Sequence, residues 1–240
     1  MCSSDLDSST PSRWLAVLGG VLMNLCLGAF YGWSLYVPSL EKTLSVTRAQ
    51  STNIFSIAVV VFAISFLIGG RLQDKKGPYL VAMVGSVLFG VGFLLTSQAT
   101  SLTDMYLTYG VVVGFGTGFG YVPPIGVISK WFPDRRGLVV GIAVGAFGAG
   151  SALLGPLMSG WLATHGLSTV LMWQGLIYLA ATLLAAQFLK NPPPGFVPAG
   201  WTPAKASAAS AGNDYTPSEM LGTSQFYRLL IDRKSTRLNS

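Results

Sequence analysis

Two short segments place acids and bases within reach of one another. In Gly70-Arg71-Leu72-Gln73-Asp74-Lys75-Lys76-Gly77 a single carboxylate, Asp74, sits among three cations. In Trp131-Phe132-Pro133-Asp134-Arg135-Arg136-Gly137 the carboxylate of Asp134 precedes two. Asp74 can accept hydrogen bonds from these cations or meet the positive N-terminus of a neighbouring helix. Other polar groups stand singly in apolar surroundings. Asn24, Gly28, Tyr31 and Leu35 follow helical spacing, Thr117 and Tyr121 lie one turn apart, and so do Thr52 and Ser56. Such groups line a binding pathway or make interhelical hydrogen bonds of ~0.6 kcal/mol each. The apparatus for making and breaking bonds is missing. No carboxylate pair, Ser/His/Asp set or Cys/His set lies within the apolar stretches, so enzyme chemistry is not expected. One histidine, His165, and two cysteines, Cys2 and Cys26, cannot build a metal cluster or a disulfide scaffold. Gly116-Thr117-Gly118-Phe119-Gly120 lacks the spacing of a dinucleotide loop, and no phosphate-binding G-x-x-x-x-G-K-[ST] run occurs, so no cofactor is expected.

The elements that carry these residues are legible in the charges. Only 10% of the 240 residues are charged and 51% are apolar, with a mean hydropathy of +0.55. Soluble domains carry roughly 25% charge. The apolar content excludes disorder throughout. Six stretches hold no charge at all: Trp14–Val37, Ser51–Gly70, Pro78–Ala99, Met105–Ser129, Gly137–Thr164 and Leu167–Leu189. Each is long enough for a helix to cross a ~30 Å hydrocarbon core, which takes about 20 residues. A charge at the centre of such a span would cost roughly 2.5–3.5 kcal/mol. Barrel strands would show strict alternation, and none runs through these stretches. The expected fold is an all-α integral membrane bundle of six transmembrane helices over residues 13–190, with the lipid bilayer as its first partner.

Basic residues orient the bundle. Arg13, Arg71, Lys75, Lys76, Lys130, Arg135, Arg136 and Lys190 share one set of helix ends, while the opposite set holds only Lys42 and Arg48. The positive-inside rule then puts both ends of the bundle in the cytoplasm, as a multi-pass protein of the plasma (inner) membrane. The net charge of +6 is therefore a topology signal. A nucleic-acid partner is not expected, because no basic patch is interleaved with exposed aromatics. Residues 191–215, opening with Asn191-Pro192-Pro193-Pro194-Gly195, read as a flexible cytoplasmic linker. Thr216-Pro217-Ser218-Glu219 has the signature of a helix start, with a helix expected from Pro217 to about Leu230. Residues 1–12 and the polar 232–240 are out of character with the rest and read as an N-terminal cytoplasmic segment with a foreign start and a non-native tail.

Small residues four apart let helices approach closely. Gly110, Gly114 and Gly118 form one such row, and Gly137, Gly141 and Gly145 another. The two glycines flanking the Asp74 segment permit a tight turn between spans. Pro123-Pro124 removes two backbone donors and is expected to kink its helix.

The Asp74 segment resembles the G-x-L-x-D-[RK]-x-G signature of the major facilitator superfamily through Gly77, where Pro78-Tyr79 then replaces the usual basic pair. Taken with Tyr31-Gly32-Trp33-Ser34-Leu35-Tyr36, the Asp134 segment, Glu219-Met220-Leu221 and Gln225-Phe226-Tyr227, residues 13–231 resemble the oxalate/formate antiporter family of that superfamily. The resemblance implies the N-terminal half of a two-halved fold, built of two three-helix repeats, with residues 216–231 beginning a C-terminal six-helix half that this chain lacks. It implies a secondary transporter of small carboxylate anions working by alternating access. It also implies a substrate pathway along Asn24, Tyr31, Thr117 and Tyr121, with Phe147 where some members carry another tyrosine. Gly70, Asp74, Lys75 and Gly77 become a cytoplasmic gating loop, and Asp134, Arg135 and Arg136 its counterpart between the fourth and fifth spans. The cations that a carboxylate substrate needs would come from the missing half. A facilitator for another monocarboxylate or a neutral solute shares these motifs, and a non-transport membrane assembly protein is the rival of a different class.

Overall fold

In a computed structural model the described residues are 13–193, 195–198, 219, 220, 222–224 and 226–228. They fall into two units, divided after Pro198. The expectations for residues 1–12, for most of the linker and for the tail lie outside the described residues.

Every regular element of the first unit is helical, among the described residues. Five helical segments are long and apolar enough to cross a membrane. The longest, α7 (Arg136–Ala186), has 51 residues and would reach ~75 Å if straight, more than twice a hydrocarbon core. It is broken at Gly166, whose φ of 75° and ψ of 168° leave the helical region. Glycine adopts a positive φ at no steric cost, which any side chain would raise. The two limbs, 136–165 and 167–186, run in opposite directions beside the first span. Asn24 meets Ala143 and Gly28 meets Phe147, so the first limb is parallel to it. Tyr36 meets Gln174 and Gly19 meets Ala185, so the second is antiparallel. Six crossings result, as the charge-free stretches require.

The first crossing changes its winding halfway. α1 (Arg13–Leu27) passes into a 3-10 stretch (Gly28–Leu35) and then α2 (Val37–Leu44), which has Pro38 in its first turn. The second is α3 (Arg48–Lys76), started by a reciprocal capping box: Gln50 N donates to Thr47 Oγ1 at 3.3 Å, and Thr47 N to Gln50 Oε1 at 2.8 Å. The third is α4 (Pro78–Ser97). Here the structure corrects one expectation. The turn between α3 and α4 rests on Gly77 alone, at φ 89°, while Gly70 lies inside α3. Residues 71–76 extend the helix instead of looping, because the charged Arg71, Asp74, Lys75 and Lys76 are exposed at its end and Arg, Leu, Gln and Lys are good helix formers.

The fourth crossing begins with α5 (Leu102–Met105), continues as a π-helical stretch (Tyr106–Val113) and ends in α6 (Gly114–Trp131). The helix carries Pro123 and Pro124 without interruption, both buried. α6 is the hub. The row Gly110, in the π-helical stretch, with Gly114 and Gly118 of α6, faces α3, where a methyl on Gly114 would sit 2.7 Å from the Ala58 carbonyl oxygen. Gly116 abuts Phe89 of α4, and Gly120 abuts Leu27 of α1. The second row behaves otherwise. Gly137, Gly141 and Gly145 meet nothing within 4 Å, so their expected close packing is not made within the described residues. The first limb of α7 contacts the first crossing instead, Gly150 at Leu25 of α1 and Phe147 at Gly28 of the 3-10 stretch.

In the second unit, residues 219–220, 224 and 226–228 are helical. A turn at Gly222 and a non-helical Thr223, which donates from Oγ1 to the Met220 carbonyl at 2.7 Å, interrupt the single helix expected over 217–230.

Candidate functional site

Two of the four expected pathway residues meet across one aromatic residue. The Phe147 ring lies 5.3 Å from Tyr31 and 4.6 Å from Tyr121, centroid to centroid. Three residues of α3 extend this wall. Phe55 is 6.3 Å from Tyr31, Phe62 is 5.9 Å from Tyr121, and Phe66 is 6.0 Å from Tyr121. Tyr31 is 47% exposed and Tyr121 half-buried, so the wall opens to a face of the bundle. Positive ring edges and phenolic O–H donors suit the oxygens of a small anion. The α3 members were legible as a pattern: Phe55, Phe62 and Phe66 are spaced by seven and four residues, one face of a helix.

Asn24 and Thr117 are fully buried away from that wall. Asn24 Nδ2 donates to the Ala143 carbonyl at 2.9 Å, tying the first span to the fifth. Its Oδ1 is buried without a hydrogen bond. Thr117 Oγ1 donates to the Val113 carbonyl one turn back, at 2.7 Å. The change of winding separates Asn24 from Tyr31. Each 3-10 residue advances ~120° against ~100° in an α-helix, so four of them turn Tyr31 by roughly 80° from the shared face. Thr52 and Ser56 likewise bond back along their own helix, to the Arg48 and Thr52 carbonyls.

The wall stands on a buried polar frame at one end of the bundle. Tyr36 Oη donates to Gln174 Oε1 at 2.8 Å, and Tyr109 Oη donates to the Phe30 carbonyl at 3.0 Å. The 3-10 winding is thereby anchored from two sides. Trp33 Nε1 donates to the Ser51 carbonyl at 3.0 Å, and its ring packs 4.2 Å from Tyr109.

At the other end the two acidic segments differ. Asp134 accepts from Arg13 Nη1 at 3.4 Å and lies 3.9 Å from Arg135 Nε. The Arg13 guanidinium sits 4.5 Å over the Phe132 ring. Arg136 is exposed and opens α7. Trp131 Nε1 donates to the Lys190 carbonyl at 2.8 Å, joining this corner to the exit of the sixth span. Asp74 and Lys75 are exposed in the last turn of α3 and make no ion pair among the described residues, while Gln73 beside them is buried against Gly126. The Arg13–Asp134 pair and the Gln73 contact had no signal in the sequence, since neither partner is near the other along the chain.

The family model of the Major Facilitator Superfamily matches residues 16–227. The chain belongs to the major facilitator superfamily. Its wall, hub glycines and Gly77 turn are therefore features of a multi-pass membrane protein of a transporter family. Among individual members, the chain is 31% identical over 220 residues to an uncharacterized transporter of the superfamily, YhjX, from Escherichia coli K12, covering 92% of this chain and 53% of that protein. It is 31% identical over 219 residues to the oxalate:formate antiporter of Oxalobacter formigenes, covering 91% and 50%. It is 31% identical over 200 residues to human monocarboxylate transporter 11, covering 83% and 42%. The chain spans about half the length of the first two of these superfamily relatives.

Proposed function

We propose that this chain forms the first six-helix half of a secondary transporter that exchanges small carboxylate anions, of the oxalate and formate kind, by alternating access. The observation that carries this reading is the aromatic wall of Tyr31, Phe147 and Tyr121, open to one face of a bundle of the superfamily. Transporters built of repeated halves bind substrate near the bilayer midplane, between the halves. A wall on one half, with phenolic donors, supplies shape and hydrogen bonds, and cations from a second half supply charge. The names of the bacterial antiporter and the human monocarboxylate transporter favour carboxylates over neutral solutes. A monocarboxylate facilitator is the second reading, and it rests on the human relative. The bundle sits in the plasma membrane with both ends cytoplasmic, by its basic residues. Residues 191–215 are the connector to the second half. The last turn of α3, with Asp74 and Lys75, and the Gly77 turn after it act as the cytoplasmic gate, and the Asp134 segment is its counterpart, holding the first span to the loop before the fifth.

Proteoliposomes preloaded with oxalate test this. The 240-residue chain alone is expected to give no uptake of labelled oxalate or formate. The chain continued by its second six-helix half is expected to exchange both, with exchange lost in Tyr121→Ala. Robust uptake by the 240-residue chain alone would contradict the half-transporter reading. Uptake of neutral solutes with no response to carboxylates would contradict the choice of substrate.

A further inference from the structure

A cavity of about 240 Å³ opens between the first and second spans, at the end of the bundle that carries Lys42 and Arg48. Tyr31 and Ser34 of the 3-10 stretch border it on one side. Arg48, Thr52 and Phe55, from the first two turns of α3, border it on the other. Arg48 is the one charged residue in its lining, which holds no carboxylate. Among the described residues the Arg48 guanidinium makes no ion pair or hydrogen bond.

Hydrogen-bond accounting separates the committed donors from the free ones. Thr52 Oγ1 is spent on the Arg48 carbonyl at 2.9 Å, and Trp33 Nε1 on the Ser51 carbonyl at 3.0 Å. Tyr31 Oη and Ser34 Oγ have no hydrogen-bond partner among the described residues. Three unclaimed donor groups therefore border one volume, and one of them carries a full positive charge. The ligand that matches is a small acceptor-only anion. A guanidinium presents a planar fork that fits a carboxylate with two parallel hydrogen bonds. Trp33, Val37 and Phe55 complete the lining with apolar surface beside Arg48, Tyr31 and Ser34, which are exposed. Tyr31 also belongs to the aromatic wall, 5.3 Å from Phe147. Its side chain thus forms the boundary between the cavity and the wall.

We propose that Arg48, with Tyr31 and Ser34, forms an entry site that captures a small carboxylate anion and hands it across Tyr31 to the aromatic wall. The ligand class rests on the carboxylate reading above. The site supplies from within this half a cation that was expected only from the other. A guanidinium at a membrane surface can also meet a lipid phosphate, so the experiment separates the two sources.

The 240-residue chain, purified in a maltoside detergent, is titrated with ¹³C-labelled formate and oxalate, and with sulfate, by NMR line broadening. R48Q is expected to weaken carboxylate binding by at least about tenfold, the loss of a charge-assisted hydrogen-bonded pair. R48K keeps the charge but loses the fork, and is expected to bind carboxylate more weakly than the unsubstituted chain and more tightly than R48Q, a ranking that mere loss of the fold would not give. Undiminished carboxylate binding in R48Q would overturn the entry site and leave the carboxylate reading standing. Arg48-dependent binding of sulfate with no response to either carboxylate would overturn both. Arg48-dependent capture of phosphatidylglycerol from mixed micelles, without binding of formate or oxalate, would overturn the site in favour of a lipid headgroup contact.

Discussion

Tyr36 shows what a buried polar side chain does in this bundle. It is 1% exposed, and its hydroxyl closes on Gln174 across two spans. Removing only that hydroxyl leaves the ring in place and Gln174 Oε1 without its donor. Tyr36→Phe is expected to destabilise the bundle by about 0.6 kcal/mol and by no more than about 1.7, the range measured for interhelical hydrogen bonds in a membrane protein. Reversible unfolding in mixed micelles measures this, and an unchanged midpoint would show that the bond contributes nothing. Asn24 belongs to the same class, since its amide holds Ala143. Its type and spacing were visible in the sequence; its neighbour was not. Helical spacing assigns residues to a face but does not say whether another helix or an open wall lies opposite. The 3-10 stretch adds a second reason, because it turns Tyr31 away from Asn24 with no compositional sign. Arg48 was hidden differently. It lies three residues before an uncharged run, so it read as a charge marking a helix end.

At the scale of elements, two glycine rows of equal spacing have opposite fates. Gly118 faces α3 so tightly that a methyl group there would overlap Ser65 and Phe62. Gly141 faces open space. Gly118→Leu is expected to cost about 1–3 kcal/mol, as overpacked sites do, or to block folding. Gly141→Leu is expected to stay within about 0.5 kcal/mol in this chain, as surface changes do. Thermal unfolding of both variants in the same detergent decides it, and equal losses would contradict the packing described here. The six elements themselves were readable because the cost of a charge in hydrocarbon acts on each residue separately. A turn near Gly166 was readable by length instead, since residues 137–189 hold no Asp, Glu, Lys or Arg and are more than twice as long as one crossing needs. What stayed hidden was which faces touch, a property of pairs of helices. The π-helical stretch was hidden too, and so was the continuation of the helix through Pro123 and Pro124.

For the whole molecule, the sorting of charge between the two ends is the organising fact. Arg13, Asp134, Arg135 and Lys190 converge at one end, while Lys42 and Arg48 stand at the other. Asp134→Asn removes the acid that Arg13 and Arg135 share. For a partly exposed pair the expected loss is about 0.2–1 kcal/mol of stability, with no change in topology. Urea titration in detergent measures it, and a loss several times larger would mean the corner is far less solvated than its geometry indicates. The alternation of six spans can be read directly by placing single cysteines at positions 42, 76, 100, 134, 165 and 191 in a background lacking Cys2 and Cys26. A membrane-impermeant maleimide is then applied to sealed cells. Positions 42, 100 and 165 are expected to label at once, and 76, 134 and 191 only after permeabilisation. Labelling of 165 and 191 from the same side, or of every position from one side, would contradict the six-span bundle on which the proposed transport rests.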